Sequence, residues 1–228
     1  RLTFKGIEPI LISLEEQLYD NVFIPGRRTK LKATEILNAL YEIKNTLIKE
    51  HNSLFLPLVD TLINKVGIFG LHFASLDIRQ DAGVHTKTLL AIAAVSGIVP
   101  VAYSQWTDDE KVAFLTSDDL PAFNAELEDP LLSDTLHSIK AIAGIQESNG
   151  NKGCERYIIS HSTSVVNILE VYGLFRLCGW QKNNMAVDIV PLFETVEDLV
   201  NAAAIMEGLY KNDTYRKHLQ NRGEVQTI

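Results

Sequence analysis

A chain of 228 residues with 46% hydrophobic content can bury a substantial core and fits one large domain or two modest ones. A formal charge of −8 speaks against a general nucleic-acid binder and against an anionic membrane surface, both of which need clustered Lys and Arg, so an anionic ligand would need a local basic site. No apolar run reaches the length of a membrane span, and Cys154 and Cys178 are too few and too far apart for a zinc framework, so they read as structural thiols in a reducing cytoplasm.

The opening RLTFKGIEPILISLEEQL reads as helix, with Glu8 and Pro9 interrupting any signal-like core. From Leu11 to about Gly70 the pattern stays helical, and Ile36, Leu40, Ile43 and Leu47 recur at helical spacing along one stripe. Pro25-Gly26 marks a turn within it. GLHFASLDIRQD is predicted as the first strand, and HTKTLLAIAAVSG as a helix that ends at Gly97. Residues 98–130, punctuated by Pro100, Pro121 and Pro130, read as short helices and loops of an insertion that reaches to about 150. Its last helix would use Leu132, Leu136, Ile139 and Ala143 as the apolar stripe before the polar loop ESNGNKG.

A clearer rhythm follows. ERYIISHS reads as strand, TSVVNILEVYGLFRLCG as helix, AVDIVPLFE as strand and TVEDLVNAAAIMEGLY as helix; NDTYRKHLQNRG adds a helix and EVQTI begins a fourth strand. Alternation of this kind predicts a helix-rich α/β fold with parallel strands buried on both faces, either a doubly wound sheet or part of a (β/α) barrel. The expected division is a helical lead-in over 1–70 and an α/β region over 71–228. The absence of an initiator Met and the stop inside an apolar, β-branched run lead us to expect a piece of a longer protein.

Parallel strands joined by crossovers bring their carboxyl ends to one side, which in barrels is the side of the chemistry. Arg79 falls near the end of the first strand, Ser160 and His161 near the end of the second, and Glu194 at the end of the third. Period two groups Val190, Leu192 and Glu194 on one face, and Thr195 with Asp198 reads as the cap of the next helix. The same period puts Asp77 and Arg79 on one face and Leu76 and Ile78 on the other. A carboxylate such as Glu194 suits Mg²⁺, and the planar fork of Arg79 suits a phosphate or carboxylate. On spacing alone, a salt-bridged rim is the simpler reading of one Arg and one Glu. His85 and His161 read as satisfied structural histidines or helix-terminal groups rather than ligands, and Asp108, Asp109, Asp118 and Asp119 as a solvated face. No Walker loop, GxGxxG after a strand or GxSxG elbow is present, and no catalytic residue is assigned.

Taken in order and spacing, LDIRQDAGVH, YIISHSTSVVNILEVYGLFR and VPLFETVEDLVNA make the chain resemble phosphoenolpyruvate carboxylase along essentially its whole length. The resemblance implies a (β/α)₈ TIM-type barrel with extra helices, of which this chain would supply the first three strands and the start of the fourth. It also implies a cytoplasmic, typically homotetrameric enzyme that uses Mg²⁺ or Mn²⁺ to carboxylate phosphoenolpyruvate with bicarbonate, giving oxaloacetate and phosphate for the tricarboxylic acid cycle. Arg79 then corresponds to the Arg that binds the phosphate of phosphoenolpyruvate, and Glu194 to a ligand of the metal. Two positions depart from the family's pattern: Ala82 stands where Ser is frequent, and His161 where Met is common. The family's catalytic His, its glycine- and arginine-rich loop and its GYSDS motif with the second metal carboxylate are implied to lie in the remainder of the same polypeptide. The isolated chain is therefore expected to be inactive, to bind Mg²⁺ weakly or not at all, and to need cover for an open strand edge. The alternatives are another metal-dependent barrel lyase or aldolase acting on a keto acid, and a noncatalytic helical scaffold.

Overall fold

The computed structural model describes residues 4–24, 26 and 31–228. The expected turn at Pro25-Gly26 falls partly outside them, because Pro25 is not among the described residues. The chain divides into two compact units, Arg1–Ala74 and Ser75–Ile228.

Three helices make up the first unit: α1 (Glu8–Phe23), α2 (Ala33–Glu50) and α3 (Leu56–Phe69). Pro9 and Pro57 both sit in a first turn, where a missing N–H leaves no helical bond unmade. The stripe of Ile36, Leu40, Ile43 and Leu47 is buried and packs with Ile7, Leu31 and Ile63 into one core. Four apolar side chains on one face of a helix cannot stay in water without a large loss of hydrophobic free energy, and that face is what joins α2 to its neighbours.

The second unit carries three parallel strands, β1 (Asp77–Asp81), β2 (Arg156–Ser160) and β3 (Asp188–Pro191), in the order β1-β2-β3. The register pairs Asp77 with Arg156, Arg79 with Ile158 and Asp81 with Ser160, and then Ile158 with Val190 and Ile159 with Pro191. Strand order that follows chain order places each crossover beside the last. The helices are α4 (Ala82–Ser96), α5 (Asp108–Leu115), α6 (Pro130–Asn149), α7 (Val165–Leu177), α8 (Val196–Lys211) and α9 (Asp213–Asn221). The result is a helix-rich α/β unit.

Tyr157, Ile159 and Ile189 point into a core shared with α4, α6 and α7, where Leu89, Ile92, Ile139, Leu174 and Phe175 are fully enclosed. The opposite face is not covered in the same way, since Arg79 keeps 55% of its side-chain exposure. Burial on both faces was expected; it holds for the face of Tyr157, Ile159 and Ile189, and on the other for Ser160 and Val190 toward β3, but not for Asp77 and Arg79 on β1. Helices cover the first face, and within the unit nothing equivalent lies against Asp77 and Arg79 at the β1 edge.

Several boundaries shift from the predicted ones for local reasons. β1 begins at Asp77 rather than Gly70, because only Asp77–Asp81 finds partners along the five-residue β2. Asp81 closes β1 and caps α4 by accepting from Gly83 N–H at 2.8 Å, so that helix starts at Ala82 instead of His85. In α6 the stripe runs through Ile142 and Gln146, and Ala143 is exposed. β3 ends at Pro191, so strand alternation does not reach Glu194, although Leu192 N–H still donates to Ile159 O at 2.9 Å. The expected fourth strand does not form: residues 225–228 adopt no regular element, and it is the Gln226 side chain that donates to Ile189 O at 2.9 Å.

Polar groups inside the core are tied across elements. Glu170 of α7 is 1% exposed and accepts from Thr86 Oγ1 at 2.6 Å and from Tyr103 OH at 3.1 Å. Arg222 donates to Asp188 at 2.6 Å and Glu155 at 3.2 Å. Both cysteines are free, and burial pushes the Cys178 thiol up to about 12, which leaves it inert.

Gly173 shows how closely α7 meets α5. A Cβ there would lie 2.6 Å from Leu115 Cδ2, and Leu115 is itself fully buried. Gly173→Ala is expected to destabilise the chain by about 1–2 kcal/mol, since overpacking outweighs the roughly 1 kcal/mol gain in helix propensity. Urea unfolding checks this; a midpoint that rises instead would mean the two helices do not touch there.

Candidate functional site

The carboxyl ends of the three strands are brought level by the register, and each delivers a charged side chain to the same rim. Arg79 comes from within β1, Asp81 from its last position, His161 from the residue after β2, and Glu194 from three residues beyond β3. Thr195 then caps α8 in a reciprocal box with Asp198, whose carboxylate accepts from Thr195 N–H at 3.0 Å and Glu194 N–H at 3.3 Å. Those backbone bonds fix where the chain turns out of the sheet, and with it the position of Glu194.

Arg79 and Glu194, the two residues singled out from the sequence, meet directly: Arg79 Nη2 donates to Glu194 Oε1. They are 115 residues apart in the chain. Asp77, the other conceivable partner of Arg79, faces Arg156 at 4.0 Å instead. An exposed ion pair of this kind is worth about 0–1 kcal/mol, so the fold gains little from the pairing itself.

His161, read from the sequence as a structural or helix-terminal histidine, lies at the open rim and is partnered there. Its side chain is 60% exposed, Nδ1 lies 2.6 Å from Asp81 Oδ2, and Nε2 lies 3.9 Å from Glu194 Oε2. The hydrogen bond with Asp81, followed by that residue's charge, raises the imidazole pKa above its ordinary value. The same bond lowers the Asp81 pKa, so both partners tell one story of mutual stabilisation. Sequence spacing gave no sign of this dyad. The available clue was that residues at the ends of adjacent parallel strands become neighbours whatever their separation in the chain.

The other candidates lie elsewhere. His85 is fully buried, with Nε2 2.9 Å from Tyr157 OH, and burial pulls its pKa down to about 4, which makes it a neutral core group. Ser160 is buried behind the rim and donates weakly to Gln80 O at 3.4 Å. Asp108 and Asp109 open α5 at its positive end, and Asp118 is tied to Lys182 at 2.6 Å rather than merely solvated.

Among the described residues, no three His, Cys, Asp or Glu side chains are arranged to hold a metal ion. Glu194 is nevertheless the right kind of donor, a hard oxygen at an open rim, and Mg²⁺ is commonly held by one or two carboxylates completed by waters and substrate oxygens. The residues present thus fit one corner of such a centre. Likewise, among the described residues no helix is long and apolar enough to cross a membrane.

Fold and rim together define a class: an α/β protein whose parallel strands carry a guanidinium and a carboxylate to their shared carboxyl end, chemistry suited to an anion beside a divalent cation. Comparison with known proteins narrows this. The family model for phosphoenolpyruvate carboxylase matches residues 14–228. The chain is 35% identical over 190 residues to the phosphoenolpyruvate carboxylase of Prochlorococcus marinus (strain MIT 9312), covering 80% of this chain and 19% of that protein. It is 34% identical over 188 residues to that of Parasynechococcus marenigrum (strain WH8102), covering 79% and 18%, and 32% identical over 183 residues to that of Gloeobacter violaceus, covering 75% and 19%. The chain belongs to the phosphoenolpyruvate carboxylase family. It spans about a fifth of the length of the curated relatives it matches.

Proposed function

We propose that the chain is the part of a phosphoenolpyruvate carboxylase that contributes Arg79 to substrate binding and Glu194 to the metal centre. In this reading β1–β3 are the first arc of a (β/α)₈ barrel completed by the rest of the polypeptide, in a cytoplasmic homotetramer. The reaction carboxylates phosphoenolpyruvate with bicarbonate to oxaloacetate and phosphate, through carboxyphosphate and the enolate of pyruvate. The observation that carries the proposal is the meeting of Arg79 and Glu194 at one strand-end rim, in a chain of this family.

Arg79 acts by holding the phosphate of the substrate with two parallel charge-assisted bonds, which fixes the group that is to be transferred. It is exposed enough to exchange Glu194 for that phosphate, at a cost no larger than a surface ion pair. Glu194, released from Arg79, offers both oxygens to the site. Glu194 would hold a divalent ion there, which would supply positive charge to stabilise an enolate oxygen as it develops. The isolated chain lacks the residues needed to finish the site and is expected to be inactive, with Mg²⁺ titration giving no saturable heat.

Arg79→Ala in the full-length enzyme is expected to raise the KM for phosphoenolpyruvate about 100-fold, near 3 kcal/mol, as one charged bidentate contact is removed. Arg79→Lys should recover part of the loss, because it keeps the charge but not the fork. A KM unchanged in both variants would leave the ion pair as a purely structural rim contact.

A further inference from the structure

His161 is built into the rim with more care than a bystander requires. It adopts a left-handed backbone, φ 55°, a region most residues with a Cβ avoid but that histidine enters more readily than most. The next residue is pinned on both sides, with Ser162 N–H donating to Leu192 O at 3.4 Å and Ser162 Oγ to Ile159 O at 3.1 Å. The turn aims the imidazole across the strand ends, between Asp81 and Glu194.

The orientation of the ring then follows from Asp81. An ionised carboxylate only accepts hydrogen bonds, so the proton of the 2.6 Å bond sits on Nδ1, and in the neutral ring the lone pair is left on Nε2. A histidine whose second nitrogen is held by a carboxylate is the usual form of a metal-ligating imidazole, because the bond fixes the tautomer and makes the free nitrogen a stronger donor. Nε2 lies 3.9 Å from Glu194 Oε2. Two donors at about 2.1 Å from one ion stand about 3 Å apart at a right angle and about 4.2 Å apart when opposite, so this spacing lies between the two and brings both atoms within reach of one ion after a small side-chain adjustment.

We propose that His161 is a nitrogen ligand beside Glu194, and that it shifts the metal preference of this site from Mg²⁺ toward ions that accept nitrogen, such as Mn²⁺ and Co²⁺. The inference rests on Glu194 being a metal ligand. Waters, substrate oxygens and the second carboxylate implied for the rest of the polypeptide would complete the coordination around these two donors. Mg²⁺ takes oxygen ligands almost exclusively, whereas imidazole binds first-row transition ions more strongly along the series from Mn²⁺ to Cu²⁺.

Pulsed electron paramagnetic resonance of the full-length enzyme with Mn²⁺ tests this without reference to turnover. Wild type is expected to show modulation from a directly bound ¹⁴N that His161→Gln abolishes. His161→Gln should also weaken Co²⁺ binding by calorimetry about tenfold or more while changing Mg²⁺ affinity less than about twofold. Mn²⁺ that binds, is lost in Glu194→Gln and shows no nitrogen modulation would overturn the His161 assignment alone. Modulation that persists in His161→Gln would overturn it too, by placing the nitrogen elsewhere. Mn²⁺ binding unaffected by Glu194→Gln would sink the metal role of Glu194 and this inference with it.

Discussion

Glu194→Gln in the full-length enzyme is expected to lower kcat/KM by about 10²–10³-fold, some 3–4 kcal/mol at the barrier, with a matching rise in the Mg²⁺ needed for half-activation. The substitution keeps the shape of the side chain and one acceptor oxygen but removes the charge, so it isolates the electrostatic part of the role. Folding should barely register it. Glu194 is a third exposed and its pairing with Arg79 contributes about 0–1 kcal/mol, so the thermal midpoint should move by no more than a few degrees. A variant that keeps normal turnover at ordinary Mg²⁺ would show that the carboxylate serves only as a rim partner for Arg79.

The largest effect on stability is expected at Glu170. Its removal in Glu170→Ala opens a cavity at a fully enclosed position and strips the Tyr103 hydroxyl of its acceptor, while Thr86 falls back on a 3.4 Å bond to Ala82 O. The cavity and the unsatisfied hydroxyl together should cost about 3–4 kcal/mol, measured by urea unfolding of the chain. Burial raises the Glu170 pKa above the ordinary carboxylate value, opposed by the bonds from Thr86 and Tyr103 and by Lys111 and Asn167. The sign is the reverse of a salt-bridged carboxylate. Between the unfolded value of about 4.3 and the raised folded value, the folded chain binds more protons than the unfolded one, so stability falls as pH rises through that window. Glu170→Gln keeps the shape and an acceptor and should flatten that slope. An unchanged slope in Glu170→Gln would assign the pH dependence to other carboxylates.

Much of the local structure was legible in short stretches. The α2 stripe and the Thr195–Asp198 cap depend on residues three or four apart, and they form as predicted. So does the alternation of three strands with helices. Misplaced ends, such as the start of α4 and the stop of β3, turn on single residues with a competing local role: Asp81 caps while still in a strand, and Pro191 closes the strand before Glu194. EVQTI has the composition of a strand but makes no ladder, because β propensity expresses itself only where a partner edge and a packed face are available.

By itself, then, the amino-acid order determined the run of helices before β1 and the parallel α/β class, and it singled out Arg79 and Glu194 as candidates, because periodicity, caps and motif order are properties of neighbours along the chain. The tertiary structure alone decided that Arg79 and Glu194 touch, that Asp81 orients His161 across 80 residues, and that Glu170 ties α7 to Thr86 and Tyr103 across 84 and 67. Those contacts depend on strand register and on which helix covers which face. Both are fixed by the packing of the whole core, where a slip of one residue in β1 would carry Arg79 and Asp81 to the other side of the sheet.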